Sequence, residues 1–215
     1  DPQAIAEGET LTMMKTVNTK TWSVELKSAL IAGEGADYEF PFINDKTYFV
    51  YEPQVPYLYL PPVDFSSFIG FAETIFDFSG TDAEGAFSCS YDNRGTCKFT
   101  VDCDYVIEAY SGATDFFNMV IGDEDGEAYT ISVDLIDMLL DGPLIGEDEG
   151  TCFLGVFKLD GADTWFMGNQ MMKNYYTVFD ATAADEKNED YITFGIAKKL
   201  AGHNLVYQSG SSQNI

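Results

Sequence analysis

The stretch from Thr164 to Asp180 (T-W-F-M-G-N-Q-M-M-K-N-Y-Y-T-V-F-D) restricts the fold more than any other part of the chain. Trp165-Phe166-Met167 reads as a buried run that stops at Gly168. Helical spacing follows over Gln170–Tyr176, and Thr177-Val178-Phe179 reads as a β-run. The order implied is strand, glycine, short helix, strand.

The rest of the chain repeats this scale of element. Asp1–Gly8 is loop-like and Leu11–Val17 reads as a strand. Thr21–Leu30 alternates, with Trp22, Val24 and Leu26 on one face, as a half-buried strand ending at a Gly33-Glu34-Gly35 turn. Tyr38–Tyr51 continues in short aromatic strands. Val63–Phe76 has helical spacing (Phe65, Phe68, Ile69, Ala72, Ile75, Phe76). After a polar loop, Asp77–Gly85, the residues Ala86–Phe99 read as a hairpin. A second hairpin joins Phe116–Ile121 to Ala128–Val133 across the acidic tip Gly122–Glu127. Asp134–Leu140 is a helical turn, and Thr151–Phe157 is expected to lead back towards the Thr164–Asp180 segment. Tyr191–Ala197 is a last strand, and Lys198–Ile215 a polar tail. Many short strands separated by turn residues imply an all-β class.

Composition narrows the function classes. At 215 residues and 46% hydrophobic, the chain can bury a core as one domain or one lobe of a larger protein. The charge of −25 disfavours nucleic acid, because phosphates are repelled. It suits solubility, a low-pH compartment, or cationic partners including divalent ions. No run approaches the ~18 apolar residues of a membrane helix. Asp1 is neither an initiator Met nor part of a signal-like segment, which leads us to expect a processed or partial chain.

Four cysteines allow three pairings, and no C-x-x-C occurs. With His203 as the one histidine, a zinc site is disfavoured. We expect two disulfides in a secreted or endomembrane-lumen setting. Cys89–Cys97 would close a local loop around an Asn93-Arg94-Gly95 turn, and Cys103–Cys152 would be a long staple. There is no N-x-[ST] sequon.

The Thr164–Asp180 segment closely resembles "W-I-L-G-D-x-F-L-R-x-Y-Y-T-V-F-D" of the pepsin-like aspartic peptidases, a hallmark of their C-terminal lobe. Other segments resemble that lobe in order. Thr21–Gly35 is similar to its "Y-W-x-I-x-L-x-x-I-x-V-G-G". Phe99-Thr100-Val101-Asp102-Cys103 is similar to its "y-x-V-D-C" strand, and Tyr191–Ala197 to its closing "I-G-F-A" strand. Asp1 looks like the end of the family's G-G-x-D element, so by this likeness the chain begins where an N-terminal lobe finishes. The Cys89/Cys97 hairpin is absent from shorter family members. The resemblance, which reaches to about Lys199, implies a lobe of twisted antiparallel sheets with a few short helices, followed by a tail over 200–215.

By the same resemblance, Glu52-Pro53-Gln54-Val55-Pro56 stands where the family carries D-T-G-T-S, with the spacing to Pro61 kept. Catalysis in the family needs two carboxylates sharing a proton, one from each lobe. Here Glu52 replaces Asp with a longer side chain that displaces the carboxylate. Pro53 removes an N–H, and Gln54 and Val55 remove the tight turn and the brace. The family's Gly-Asp is Gly168-Asn169 here. Asp77-Phe78-Ser79-Gly80 has the wrong spacing to substitute.

Other candidates are weaker. A Ser or Cys nucleophile would need a base, and His203 lies in the polar tail, where a solvent-facing side chain is expected. Asp123-Glu124-Asp125-Gly126-Glu127 hints at calcium. With Gly126 as the sixth loop position, however, Ile121 and Ser132 fall at positions one and twelve, so no EF-hand is present. A solvated turn is expected there and at Glu147-Asp148-Glu149. Tyr48, Tyr51, Tyr57 and Tyr59 either pack into core and lobe contacts or line an aromatic cleft.

The expectation is therefore a pseudo-peptidase lobe with no catalytic, cofactor or metal residues of its own. It would pair with an N-terminal-type lobe or other subunits of a secreted assembly. The alternatives are an acid endopeptidase using Glu52 with an Asp from a partner lobe, and a carrier of peptides or small apolar ligands in the former cleft.

Overall fold

The structure is a computed structural model that describes residues 4–200 apart from 34–35, 42–45, 93–94, 111–113 and 188. Asp1, the Glu34-Gly35 turn, Asn93-Arg94, His203 and the tail beyond 200 lie outside the described residues.

Among the described residues the strands form three sheets. The largest runs, in spatial order, Val156–Lys158, Leu58–Leu60, Thr164–Met167, Thr47–Tyr51, Ser23–Gly33, Phe117–Gly122, Ala128–Val133. Ala36–Glu39 folds back on Ser23–Gly33 at its far end. A second sheet orders Leu139–Asp141, Cys152–Leu154, Thr96–Phe99 and Phe87–Ser90. The third sets Thr193–Lys198 between Thr12–Lys15 and Tyr175–Asp180. The fold is all-β, with short helices set against the sheets.

Ser23–Gly33 begins as the alternation predicts, with Val24 and Leu26 buried. Strict alternation then fails. The register against Phe117–Gly122 shifts between Leu26 and Ser28, so the buried set moves to Ala29 and Ile31. An extra residue in a strand exchanges its two faces, so Lys27 and Ser28 both stay in solvent while the core remains continuous.

The helix Pro62–Ile75 forms where its spacing predicts. Proline opens it, where a missing N–H costs nothing, and Phe65, Phe68 and Ala72 face the core. The disulfides join Cys89 to Cys97 and Cys103 to Cys152. Cys89 and Cys97 are direct cross-strand partners in the expected hairpin.

Two expectations need correction. Residues 169–174 form turns rather than a helix, because pairing with Thr193–Lys198 already captures Tyr175 and Tyr176. The strand before Cys103 stops at Phe99. The Asp102 carboxylate then accepts from Tyr105 N at 2.8 Å and caps a helix, Cys103–Ala109. Thr151–Phe157 does lead back to the Thr164–Asp180 segment: the disulfide holds Cys152 beside Phe99, and beyond Gly155 the chain joins Leu58–Leu60, the antiparallel neighbour of Thr164–Met167. Thr12–Lys15 pairs with Thr193–Lys198. The helix Thr182–Lys187 was not anticipated.

The core is rich in aromatic contacts. Trp165 is fully buried, with Phe40 edge-on at 5.0 Å and Phe117 at 6.1 Å. Its indole N–H donates to Asp64 Oδ2 at 2.6 Å, which ties the first turn of the helix to the strand that leads into Gly168. Burial pushes the Asp64 carboxyl above its usual range, against the opposing pull of that hydrogen bond. A carboxyl raised in the fold makes its best contribution in acid. Stability is lost as pH rises from the unfolded value near ~4 through the folded one. Asp64→Asn keeps an acceptor for Trp165 without a buried charge. Its melting temperature is expected to exceed the parent's at pH 7, with the advantage gone below pH ~4. Thermal melts at the two pH values check this, and equal shifts at both would refute it.

Candidate functional site

Thr47–Tyr51 and Leu58–Leu60 do not pair with each other, although they are close in sequence. Thr164–Met167 lies between them, parallel to the first and antiparallel to the second. Residues 52–57 therefore arch across the end of that central strand, and the chain leaves the strand through the arch at Gly168-Asn169. The structure thus brings together the two segments singled out in the sequence, Glu52–Pro56 and Gly168-Asn169.

Hydrogen bonds close the arch from both sides. Glu52 N donates to Met167 O at 3.0 Å and Gly168 N to Tyr57 O at 2.9 Å. Asn169 N donates to Val55 O at 3.1 Å and Gln170 N to Pro56 O at 2.9 Å. The approach at Gly168 leaves no room for a side chain. A Cβ there would lie 2.0 Å from Val55 O and 2.6 Å from Pro56 C, both backbone atoms.

The Asn169 side chain locks the arch further. Its Nδ2 donates to Pro53 O at 2.6 Å, and its Oδ1 accepts from Tyr51 OH at 2.5 Å. An amide serves both at once; a carboxylate could not donate to Pro53. Burial holds the Tyr51 hydroxyl above its usual range, so it stays a donor at physiological pH. Asn169→Ala is expected to cost about 1–2 kcal/mol. It should also speed proteolytic nicking at residues 53–56, and an unchanged nicking rate would refute the lock.

Glu52 is half-buried, and its Oε1 accepts from Gln54 N at 3.1 Å. The carboxylate caps its own loop, while Pro53, Gln54 and Pro56 are exposed. Among Glu52–Pro56, Gly168 and Asn169, Glu52 alone carries a carboxyl group.

The four tyrosines do not form one cleft. Tyr51 stacks on Phe179, with ring centroids 5.7 Å apart and planes 7° from parallel, and Phe179 in turn meets Trp22 at 4.8 Å. Tyr57 and Tyr59 meet Phe157 at 5.7 and 5.6 Å beside a cavity of about 580 Å³. Tyr48 lines a different hollow of about 370 Å³ with Lys15, Lys46 and Tyr191. Sequence reasoning missed Phe157 and the double role of Asn169. Phe157 sits in a run that looked like connecting strand, and the Asn169 signal was present only as an amide where the resemblance leads one to look for an acid.

At the acidic tip, the buried Asp123 carboxylate accepts from Lys15 N at 3.0 Å and Glu127 N at 3.1 Å. Asp125 pairs with Lys15 and Glu124 with Lys46. These carboxylates close a hairpin. Among the described residues, no group of three or more His, Cys, Asp or Glu side chains is placed to hold a metal ion. No described helix is long and apolar enough to cross a membrane.

Comparison with known proteins agrees with this architecture. A search of curated proteins finds no match. Among solved structures, basic 7S globulin from soybean is similar at 15% identity and a TM-score of 0.56. The similarity covers 91% of this chain but 44% of the globulin, so the chain spans less than half of that protein's length. The model of the eukaryotic aspartyl protease family matches residues 5–187, which takes in the arch and the strand threaded through it. By that match, the chain belongs to the eukaryotic aspartyl protease family.

Proposed function

We propose that this lobe does not cleave peptides and works through protein contacts, as a pseudo-peptidase subunit of a secreted or lumenal assembly. The observation that carries the reading is the closed arch. Glu52 Oε1 accepts from Gln54 N, which folds the longer side chain back on its own loop, and Asn169, an amide, fastens Pro53 and Val55; this supports a loop held shut over one that sets a carboxylate to share a proton across a water. Two disulfides suit an oxidising compartment. A fold neighbour named as a globulin rather than as a peptidase is consistent with a use of the fold other than cleavage.

The natural partner is an N-terminal-type lobe, upstream or as a separate chain. Phe179 is 40% exposed and Val17 43%, and the strands Thr12–Lys15 and Tyr175–Asp180 flank the three-stranded sheet on its two sides. Such edges and apolar side chains are ordinarily covered.

The test is proteolysis of a denatured protein substrate between pH 2 and 6 by the full chain, with and without any N-terminal-type lobe that co-purifies with it, against Glu52→Gln. No cleavage is expected from either protein. Pepstatin-sensitive cleavage that disappears in Glu52→Gln would overturn the proposal in favour of an acid peptidase that uses Glu52 with a partner's Asp.

A further inference from the structure

The two disulfides differ in how a thiol can reach them. Cys103 and Cys152 are both buried, and Cys152 lies on an inner strand of the four-stranded sheet. Cys97 is fully buried on the neighbouring strand. Of the four cysteines, Cys89 alone is half-buried. It stands on Phe87–Ser90, the edge of that sheet among the described residues, between the exposed Ser88 and Ser90.

Cys89 and Cys97 are cross-strand partners, so the bond between them lies across the strands. Exchange needs a thiolate to approach one sulfur from the side away from the other, and access decides which sulfur is attacked. At Cys89 that approach comes from beyond the edge strand. At Cys97 it comes from the side on which Cys152–Leu154 pairs, which is occupied.

The hairpin does not depend on its bridge. Phe87, Ser88 and Ser90 pair with Phe99, Lys98 and Thr96. Tyr91 OH donates to Pro62 O at 3.1 Å, and Lys158 Nζ donates to Tyr91 O at 2.8 Å while lying 4.4 Å from the Tyr91 ring. Phe65 packs so closely on Gly95 that a Cβ there would have no room. The bridge also closes the shorter loop, with a sequence separation of 8 against 49, so opening it returns less freedom to the unfolded chain.

We propose that Cys89–Cys97 is a thiol–disulfide exchange site, opened and closed on the folded lobe by a protein dithiol, while Cys103–Cys152 stays a structural bridge. One thiolate of the dithiol attacks Cys89 Sγ, the bond to Cys97 Sγ breaks, and Cys97 leaves as a thiolate that takes up a proton. The second thiolate then attacks its own partner sulfur in the mixed disulfide, and Cys89 is released and protonated in turn. The dithiol loses two electrons and becomes a disulfide, and the lobe gains two thiols. Burial disfavours the Cys97 thiolate, which selects a dithiol over a monothiol, because a second thiol completes the reduction before Cys97 can return. The reduced lobe presents one reachable thiol at a sheet edge, whether or not the lobe cleaves peptides.

The test is alkylation kinetics on the native full chain at pH 8, where the reductant is partly thiolate. Dithiothreitol is the probe, samples are quenched with N-ethylmaleimide, and peptide mapping counts the labelled cysteines. Label should appear on Cys89 and Cys97 together, at a rate proportional to dithiothreitol and at least about tenfold faster than on Cys103 or Cys152. The reduced lobe should still melt cooperatively, and oxidised glutathione should restore the bridge. With reduced glutathione as the probe and an acid quench, the mixed disulfide should sit on Cys89.

A glutathione adduct on Cys97, or equal rates at the two bridges, would overturn the proposal. Label that appears only on global unfolding, at a rate independent of dithiothreitol, would do the same, because both bridges would then be structural. Loss of the cooperative melt when this bridge alone is reduced would also sink it. Every readout follows thiols with no peptide substrate present, so failure here leaves the non-catalytic reading untouched.

Discussion

Gly168→Ala is expected to lower the melting temperature by roughly 10 °C, from about 3 kcal/mol or more of lost stability. The added methyl group would sit 2.0 Å from Val55 O and 2.6 Å from Pro56 C. Neither atom belongs to a side chain that can rotate away. Relief requires moving the arch, which would break the bonds of Gly168 N to Tyr57 O and Asn169 N to Val55 O. The same change at Gly70, which has open space where a Cβ would go, should stabilise slightly, because alanine is the better helix former. Differential scanning calorimetry of the two variants gives the contrast. Similar melting temperatures for both would show that the arch yields more easily than its bonding implies.

Removing the Cys103–Cys152 bridge with a double Ala substitution is expected to cost about 4 kcal/mol, and removing Cys89–Cys97 about 2.5 kcal/mol. The difference follows from the loops the bridges close, which span sequence separations of 49 and 8. A longer loop withdraws more freedom from the unfolded chain. The long bridge has a second role. It ties the N-terminus of the helix Cys103–Ala109 to Cys152–Leu154, the strand after which the chain crosses to the main sheet. Urea unfolding of both variants measures the two costs, and a larger loss at Cys89–Cys97 would count against the chain-entropy account.

Much of this architecture could be read from the residues, and the misses share a cause. Elements fixed by local chemistry emerged cleanly. Pro62–Ile75 has an opening proline and a helical apolar stripe, and the hairpin around Cys89 and Cys97 is bracketed by its own disulfide. Elements fixed by distant partners did not. Gln170–Tyr176 carries helical spacing, yet Tyr175 and Tyr176 are taken by Lys198 and Ala197, a partnership that no local window contains. The shift at Lys27 is likewise imposed by the neighbouring strand. At the site, the sequence identified which residues stand at the arch. It could not show that the Asn169 amide would fasten the arch shut, because that depends on Pro53 O and Tyr51 OH arriving together. Phe157 became visible only when two sheets were seen to meet around it.

The stack of Phe179 on Tyr51 links the outer face of the three-stranded sheet to the arch through one ring and one hydroxyl. Occupation of that face and order in the arch are then thermodynamically linked. Whatever coupling the stack transmits from a covering partner to closure around Asn169 is reciprocal, so loosening the arch would weaken the partner's hold by that coupling free energy. An assembly that uses this face would carry a built-in reporter of its own formation in the hydrogen-exchange protection of the Asn169 backbone amide.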